Sequence, residues 1–393
     1  NSVPRYQKHS QAIQFNLSKI QGNLNQNSLF IESKHPDKLF LTVKNETERE
    51  FDSEFILKSE DIKFDPQKIA LKIEKESEYS RSISTKVLSN DKTTFSYSYS
   101  FISPIAERKY NSRIIKSDST KPVTIFFPSD LNITSPISVT NGVLSFETSL
   151  DFKGSPHYLR YKGLDINILY SKYPLKEPFL WYNPFYGGIV FWLMQLQQDF
   201  GLAGLSKCDF TVKKTEANGW NGIKFSPINL ERNFLLKSIS TNFSYLLHPG
   251  SNILRIDFSI KNNSIVPIEL FSGISTFVNP KFDQIRCKDP YCSRELTFRR
   301  SLQMINSTVP IEYPWLELED VTANTPKIGF IKKENPIIES RRRMNIELQE
   351  KLIEVFEATS LQLQGYEEIT RTFYIIVMDK EDDISNYSTL ILP

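Results

Sequence analysis

The groups in this chain that could move a proton are few. The part of the chain after residue 122 holds two histidines, His157 and His248, and an acidic run, Glu317, Glu319 and Asp320, that follows Trp315. Acid–base chemistry needs such a group within hydrogen-bond reach of the reacting atom. Glycosidic hydrolysis needs two carboxyl groups facing each other across the bond. As a strand, Trp315 to Asp320 would put Glu317 and Glu319 on one face and Leu316 and Leu318 on the other. The plainer reading is a solvated strand face. His157 sits in a Gly154-Ser-Pro-His turn, and His248 in the turn before Pro249-Gly250. A turn histidine with no chemistry is the plainer reading of each. The candidates for catalysis are therefore His248 and Glu317; Glu216, Glu231 and Glu269 have no better claim.

Binding asks for less. The stretch Pro178-Phe-Leu-Trp-Tyr-Asn-Pro-Phe-Tyr-Gly-Gly-Ile189 concentrates aromatics, prolines and a Gly-Gly pair. Pro178 and Pro184 fix φ and stop a helix, and Gly187 and Gly188 permit angles that a Cβ forbids. Such a loop can stack its rings on sugars or plug one end of a β-sandwich, and both readings stay open. With Trp220 and Trp315, the residues Trp181, Tyr182 and Tyr186 offer flat apolar faces. Asn183, Asn221, Arg255 and Glu317 offer groups for hydroxyls. Core packing is the competing use for each tryptophan. Gly187-Gly188 lacks the Lys-Ser/Thr or third Gly of a phosphate cradle, no nucleophile elbow occurs, and no cofactor is expected.

Composition sets the outer limits. The chain has 393 residues, enough for two or three domains, and a net charge of +2 that gives no reason to expect nucleic acid. Its 28 Phe and 17 Tyr against 14 Gly favour β structure. No run approaches the roughly 18 apolar residues of a membrane helix, and no signal peptide is expected in the stretch from Asn1. The chain starts at Asn1 and not at Met, which suggests a processed product or a piece of a longer chain. Cys287 and Cys292 flank a Pro-containing loop where a disulfide is plausible, and that loop has too few ligands for a metal. Asn-x-Ser/Thr sequons begin at Asn16, Asn45, Asn132, Asn242, Asn262, Asn306 and Asn386. They are slight evidence for secretion, and the compartment, cytoplasmic or extracellular, stays open.

The elements that must position these residues read as all-β. Residues 1–12 form a terminal stub. Residues 13–112 show alternation at Leu39/Leu41/Val43, Ile69/Leu71/Ile73 and Phe95/Tyr97/Tyr99/Phe101, the pattern of a small immunoglobulin-like sandwich without its cysteines or tryptophan. Residues 113–121 form a linker, and the basic set Arg108, Lys109, Arg113 and Lys116 around it reads as a solvated connection. Residues 122–393 form a larger antiparallel β-domain. Strands are expected at Val123–Phe127, Leu164–Tyr170, Cys208–Lys213, Ile223–Phe225, Phe234–Phe243, Ile253–Ile260, Pro267–Ser272 and Phe373–Met378. Asn141-Gly142 predicts a type I′ hairpin turn. Pro249-Gly250 predicts a type II turn. Leu246, Leu254, Ile256 and Phe258 are expected to face the core. Residues 339–364 fit a helix or strands, with the all-β surroundings favouring strands.

The larger domain resembles the galactose mutarotase-like β-supersandwich. The likeness rests on Asn141-Gly142-Val-Leu-Ser-Phe146, on Tyr173-Pro174 followed by Trp181-Tyr-Asn-Pro-Phe-Tyr-Gly-Gly188, and on Trp220-Asn-Gly222-Ile223. It also rests on Tyr245-Leu-Leu-His-Pro-Gly250 with the strand and Asn-terminated turn that follow. It covers residues 122–393. The resemblance implies a fold shared by sugar epimerases, lyase and glycosidase domains and plain sugar-binding modules. Neither His157 nor His248 lies in the motif an epimerase of this fold uses. Tyr6-Gln-Lys-His9 is similar to the Tyr-x-Lys-x-Gly-Phe ending of GNAT acyltransferases, with His9-Ser10 in place of Gly-Phe. It implies an acyltransferase domain upstream, as in some members with the Gly-Gly loop; a frayed terminus is the plainer reading. The expected function is carbohydrate recognition within a larger polypeptide. The alternatives are a sugar-active enzyme, an accessory region of an acyltransferase, and a structural cell-surface β-protein.

Overall fold

Alternation with period two, apolar inward and polar outward, builds strands such as Asp37–Asn45, Lys68–Ile73 and Ile253–Asn262. A computed structural model describes residues 12–17, 20–25, 30–32, 37–89, 91–103, 107–128, 135–178, 185–194, 205, 208–228, 236–279, 284–290, 293–297, 307–311, 314–321, 325–333, 344–349 and 352–391. Their regular structure is overwhelmingly β, with two sheets of five strands, then sheets of four, five and nine. No helix among the described residues is long and apolar enough to cross a membrane. The chain divides into two units: Asn1–Thr120 with Ser385–Pro393, and Lys121–Ile384.

In the first unit two five-stranded sheets share one core. Leu41 and Val43 of one sheet and Phe55, Leu71, Phe95 and Phe101 of the other are buried in it, at the alternating positions of their strands. The pairs are antiparallel except that Phe30–Glu32 runs parallel to the end of Glu107–Ser117. That second strand corrects the linker expectation, because residues 113–117 continue a strand paired with Thr94–Ile102. Its first half is a sheet edge, where charged residues such as Arg108 and Lys109 block further pairing. Residues 385–393, expected in the larger domain, belong to this unit. The Tyr387 hydroxyl donates to Thr93 Oγ1 at 2.8 Å, and Arg113 donates to Asn386.

In the second unit the five- and nine-stranded sheets share a core. Ile189, Phe191, Ile274 and Val355 of the first meet Tyr245, Ile256, Phe258 and Phe373 of the second. Within this unit Arg371 of the larger sheet is ion-paired with Glu357 of the smaller, both 3% exposed, and Lys332 joins them. Arg371 Nη1 also donates to the Ser272 carbonyl at 2.9 Å. The ambiguous stretch is two strands, Met344–Gln349 and Leu352–Leu363.

Three local expectations need correction. Leu246 stands directly opposite Arg255 and so faces away from the core, which receives Tyr245 and Leu247. Leu164–Tyr170 is no strand. Asn167 accepts from the amides of Leu159 and Leu169 and donates to the His157 carbonyl, so one side chain replaces the ladder; Leu169 makes an isolated bridge to Val278. The hairpin Ile137–Thr140/Leu144–Thr148 forms, but only Gly142 takes a positive φ, at 77°. Asn141 instead uses its side chain, which accepts from the amides of Val143 and Leu144 and donates to the carbonyls of His248 and Ser251. At Pro249-Gly250 the Ser251 amide donates to the His248 carbonyl at 3.1 Å and Gly250 has φ 60°, as a type II turn requires.

One turn design occurs in both units. Asn45 Nδ2 donates to the carbonyls of Arg49, Ile73 and Glu74, while its Oδ1 accepts from Thr47. Asn262 Nδ2 donates to those of Val266, Leu363 and Gln364, while its Oδ1 accepts from Ser264. Both asparagines are fully buried. These two sequons are therefore turn architecture, with amides already engaged. Asn262→Ala is expected to cost about 2–3 kcal/mol, because buried carbonyls lose their donor. Asn263→Ala, at the exposed next position, is expected to stay within about 0.5 kcal/mol. Urea unfolding of the two variants side by side measures both.

Candidate functional site

The alternation that sends Leu254, Ile256 and Phe258 into the core sends Arg255, Asp257 and Ser259 to the other face of the nine-stranded sheet. Directly opposed residues share a face, so the register lays out that face in rows. One row runs Gly222, Leu246, Arg255, Tyr374, Ile331, Trp315. The next runs Lys224, Ser244, Asp257, Thr372. The backbone amide of Lys333 donates to the Thr372 carbonyl at 2.9 Å and extends that row. Gly222 has no substitute: a Cβ there would stand 1.9 Å from the Tyr245 carbonyl oxygen.

Arg255 is the centre of this face. Its Nε donates to Asp257 Oδ1 at 3.0 Å, and its Nη2 lies 2.9 Å from Oδ2. Its guanidinium carbon lies 5.7 Å from the centre of the Trp220 ring, a cation–π distance. Thr372 Oγ1 donates to Asp257 at 2.7 Å. Trp220 packs edge-on to His248 at 5.5 Å and tilted to Tyr374 at 6.1 Å. The rings are nearly enclosed, Trp220 at 5% exposure, whereas the side chains of Arg255 and Asp257 keep 20% and 17%. The accessible chemistry is thus the bidentate ion pair, and the aromatics are its walls.

Burial shapes the titration here. It lowers His248 to about 4, opposed by a hydrogen bond to the Pro249 backbone, so the imidazole is neutral near pH 7. It raises the Tyr374 phenol to about 12. It also lowers the Lys333 ammonium, and neighbouring Arg255 adds to that while Asp257 opposes it.

The structure thus groups Trp220, Arg255 and His248. Trp315 ends the same row, three strands from Arg255, and is 7% exposed. Glu317, two residues along that strand, is 3% exposed; it accepts from the Ile384 amide at 3.0 Å and lies 3.6 Å from Lys327 Nζ. Burial raises its pKa. Asn221 is partly exposed, but it stands opposite the core residue Leu247 and so lies on the other face of the sheet from Arg255. Asp257, Thr372, Tyr374 and Lys333 were missed by sequence reasoning, although they are the polar complement of the apolar alternation. Trp181, Tyr182 and Asn183 lie outside the described residues. Of the rest of their loop, Phe185 packs on Phe277 at 5.1 Å and Tyr186 on Phe152 at 5.6 Å. Gly188 has φ 66°, and a Cβ on it would meet the Pro156 carbonyl at 1.7 Å. Tyr186, Phe191, Phe210, Phe243 and Tyr245 line an apolar cavity of about 40 Å³. Cys287 is buried; Cys292 lies outside the described residues, and with it the pairing of the two. No group of three or more His, Cys, Asp or Glu among the described residues is arranged to hold a metal.

No protein-family model matches the chain, and no curated protein matches it. Among solved structures it is similar to the Slr1438 protein of Synechocystis sp. PCC 6803, at TM-score 0.46 and 12% identity over 65% of this chain and 100% of that one. It is similar to a galactose mutarotase related enzyme of Lactobacillus acidophilus, at 0.47 and 10% over 63% and 99%. A galactose mutarotase-like protein of Lactobacillus casei ATCC 334 gives 0.45 and 9% over 62% and 100%. Likeness at this level assigns no role to any residue.

The second histidine gives the sharper pH expectation. His157 is 4% exposed and stacks on Tyr173 at 3.7 Å; among the described residues neither of its ring nitrogens has a hydrogen-bond partner, and the Glu147 carboxylate stands 3.9 Å from Nε2. Burial lowers it from 6.5 to about 4. Between these values the unfolded chain binds the proton and the folded chain does not. The contribution is therefore intact above pH 6.5 and is lost as pH falls toward 4, by roughly 3 kcal/mol in total. Urea midpoints at pH 7 and pH 4.5 should diverge less in His157→Phe than in the wild type.

Proposed function

We propose that Lys121–Ile384 is a mutarotase-like supersandwich that recognises carbohydrate on the outer face of its nine-stranded sheet, with the first unit an immunoglobulin-like spacer. The observation that carries this reading is the Arg255–Asp257 pair, fixed against Trp220 and Thr372 yet still partly exposed to solvent. Sugar hydroxyls need donors and acceptors held in a set geometry beside apolar surface. Arg255 and Asp257 supply both kinds of group, and Ser259 and Thr370, whose hydroxyls meet at 2.5 Å, continue the polar surface.

The test is a titration of mono- and oligosaccharides followed by tryptophan fluorescence, since Trp220 adjoins the pair. Turnover is checked in the same samples. Saturable binding without turnover is expected. Asp257→Asn and Arg255→Gln should each weaken it by about tenfold or more, the scale of one charge-assisted hydrogen bond, with circular dichroism unchanged. A flat response across a broad panel, acidic sugars included, would sink the reading.

A further inference from the structure

The face around Arg255 is not neutral. Lys224, Arg255 and Lys333 stand in two adjacent rows with Asp257 as the one carboxylate among them. Both Asp257 oxygens are already directed at Arg255, and Oδ1 also accepts from Thr372. Arg255 Nη1 has no partner among the described residues, nor does the ammonium of Lys224 or Lys333. All three residues are partly solvent-exposed. The row from Lys224 to Lys333 crosses four inter-strand steps, about 19 Å at the usual spacing, which is more than one sugar ring spans.

We propose that this face takes an acidic oligosaccharide, a chain of rings bearing carboxylates, laid across the strands from Lys224 past Arg255 to Lys333. The inference rests on the carbohydrate reading above and narrows it by charge complementarity. The free edge of the Arg255 guanidinium suits a carboxylate oxygen. The Lys333 ammonium, disfavoured by burial and by Arg255, regains a counter-charge when an anion arrives. Thr372 and Ser259 stay beside the ring hydroxyls.

The experiment compares a tetra-uronate, its uncharged methyl ester and inorganic phosphate by calorimetric titration of the full chain. The acid should bind about tenfold or more tightly than the ester. That preference should fall when ionic strength is raised to about 0.3 M. It should shrink at least about threefold in Lys224→Gln and Lys333→Gln, the scale of a partly exposed charge pair, and Lys333→Arg should restore it. Acid and ester binding equally well would overturn the charge inference and leave the carbohydrate reading standing. Phosphate saturating the site as tightly as the tetra-uronate would overturn it in favour of a free-anion site. Binding of neither sugar would remove both.

Discussion

A strand that leaves its sheet carries carbonyls with no ladder partner, and water cannot reach those that end inside a sandwich. In both units an asparagine amide collects them. Asn45 and Asn262 each gather three carbonyls, two of them from the neighbouring hairpin turn, while the side-chain oxygen orders the residues just after. Asn141 does the same between two hairpins, and Asn252 donates to the Val377 carbonyl at 2.9 Å. Few other side chains fit these places. Aspartate has no donor, and an aliphatic residue would leave buried acceptors unsatisfied. The candidate site inherits its geometry from one of these clamps. Asn141 holds the turn that carries His248, His248 packs on Trp220, and Trp220 forms the wall behind Arg255.

Alternation made much of this legible in advance. Leu254, Ile256 and Phe258 point inward as their spacing says, and the same spacing puts Arg255 and Asp257 on the outer face. The reading failed where two signals compete. Tyr245-Leu246-Leu247 is apolar throughout, so the phase of that strand is invisible until its register with Arg255 is known. Asn-Gly signals a hairpin turn, but the asparagine was needed as a clamp and kept an ordinary φ. The basic residues before Lys121 looked like a linker because a charged edge strand and a solvated connection share a composition.

The site residues were legible by type and much less by grouping. Trp220, Arg255 and His248 come together, because their strands are neighbours in chain and in space. Trp315 shares the row only through two strands, Lys327–Lys332 and Glu368–Met378, the second of them far away in sequence. Glu317 looked like an acid beside an aromatic platform. It is buried, and it caps the Ile384 amide. No spacing rule distinguishes a carboxylate that caps a loop from one that faces a groove.

The choice between aromatic stacking and core packing is resolved differently from either simple alternative. Trp220 and Tyr374 are too enclosed to serve as open platforms, yet they do more than fill space. They surround a guanidinium whose other side is held by a carboxylate, and so remove most of its rotational freedom before any ligand arrives. Recognition through such a group loses little side-chain entropy on binding. The ion pair is already partly buried, with 20% and 17% of its side chains exposed, so a hydroxyl or carboxylate that meets its free edge adds little further desolvation cost. A face of this kind gains selectivity from fixed polar geometry more than from apolar area. That is why the proposed choice of ligand rests on the charge of this face and not on its tryptophans.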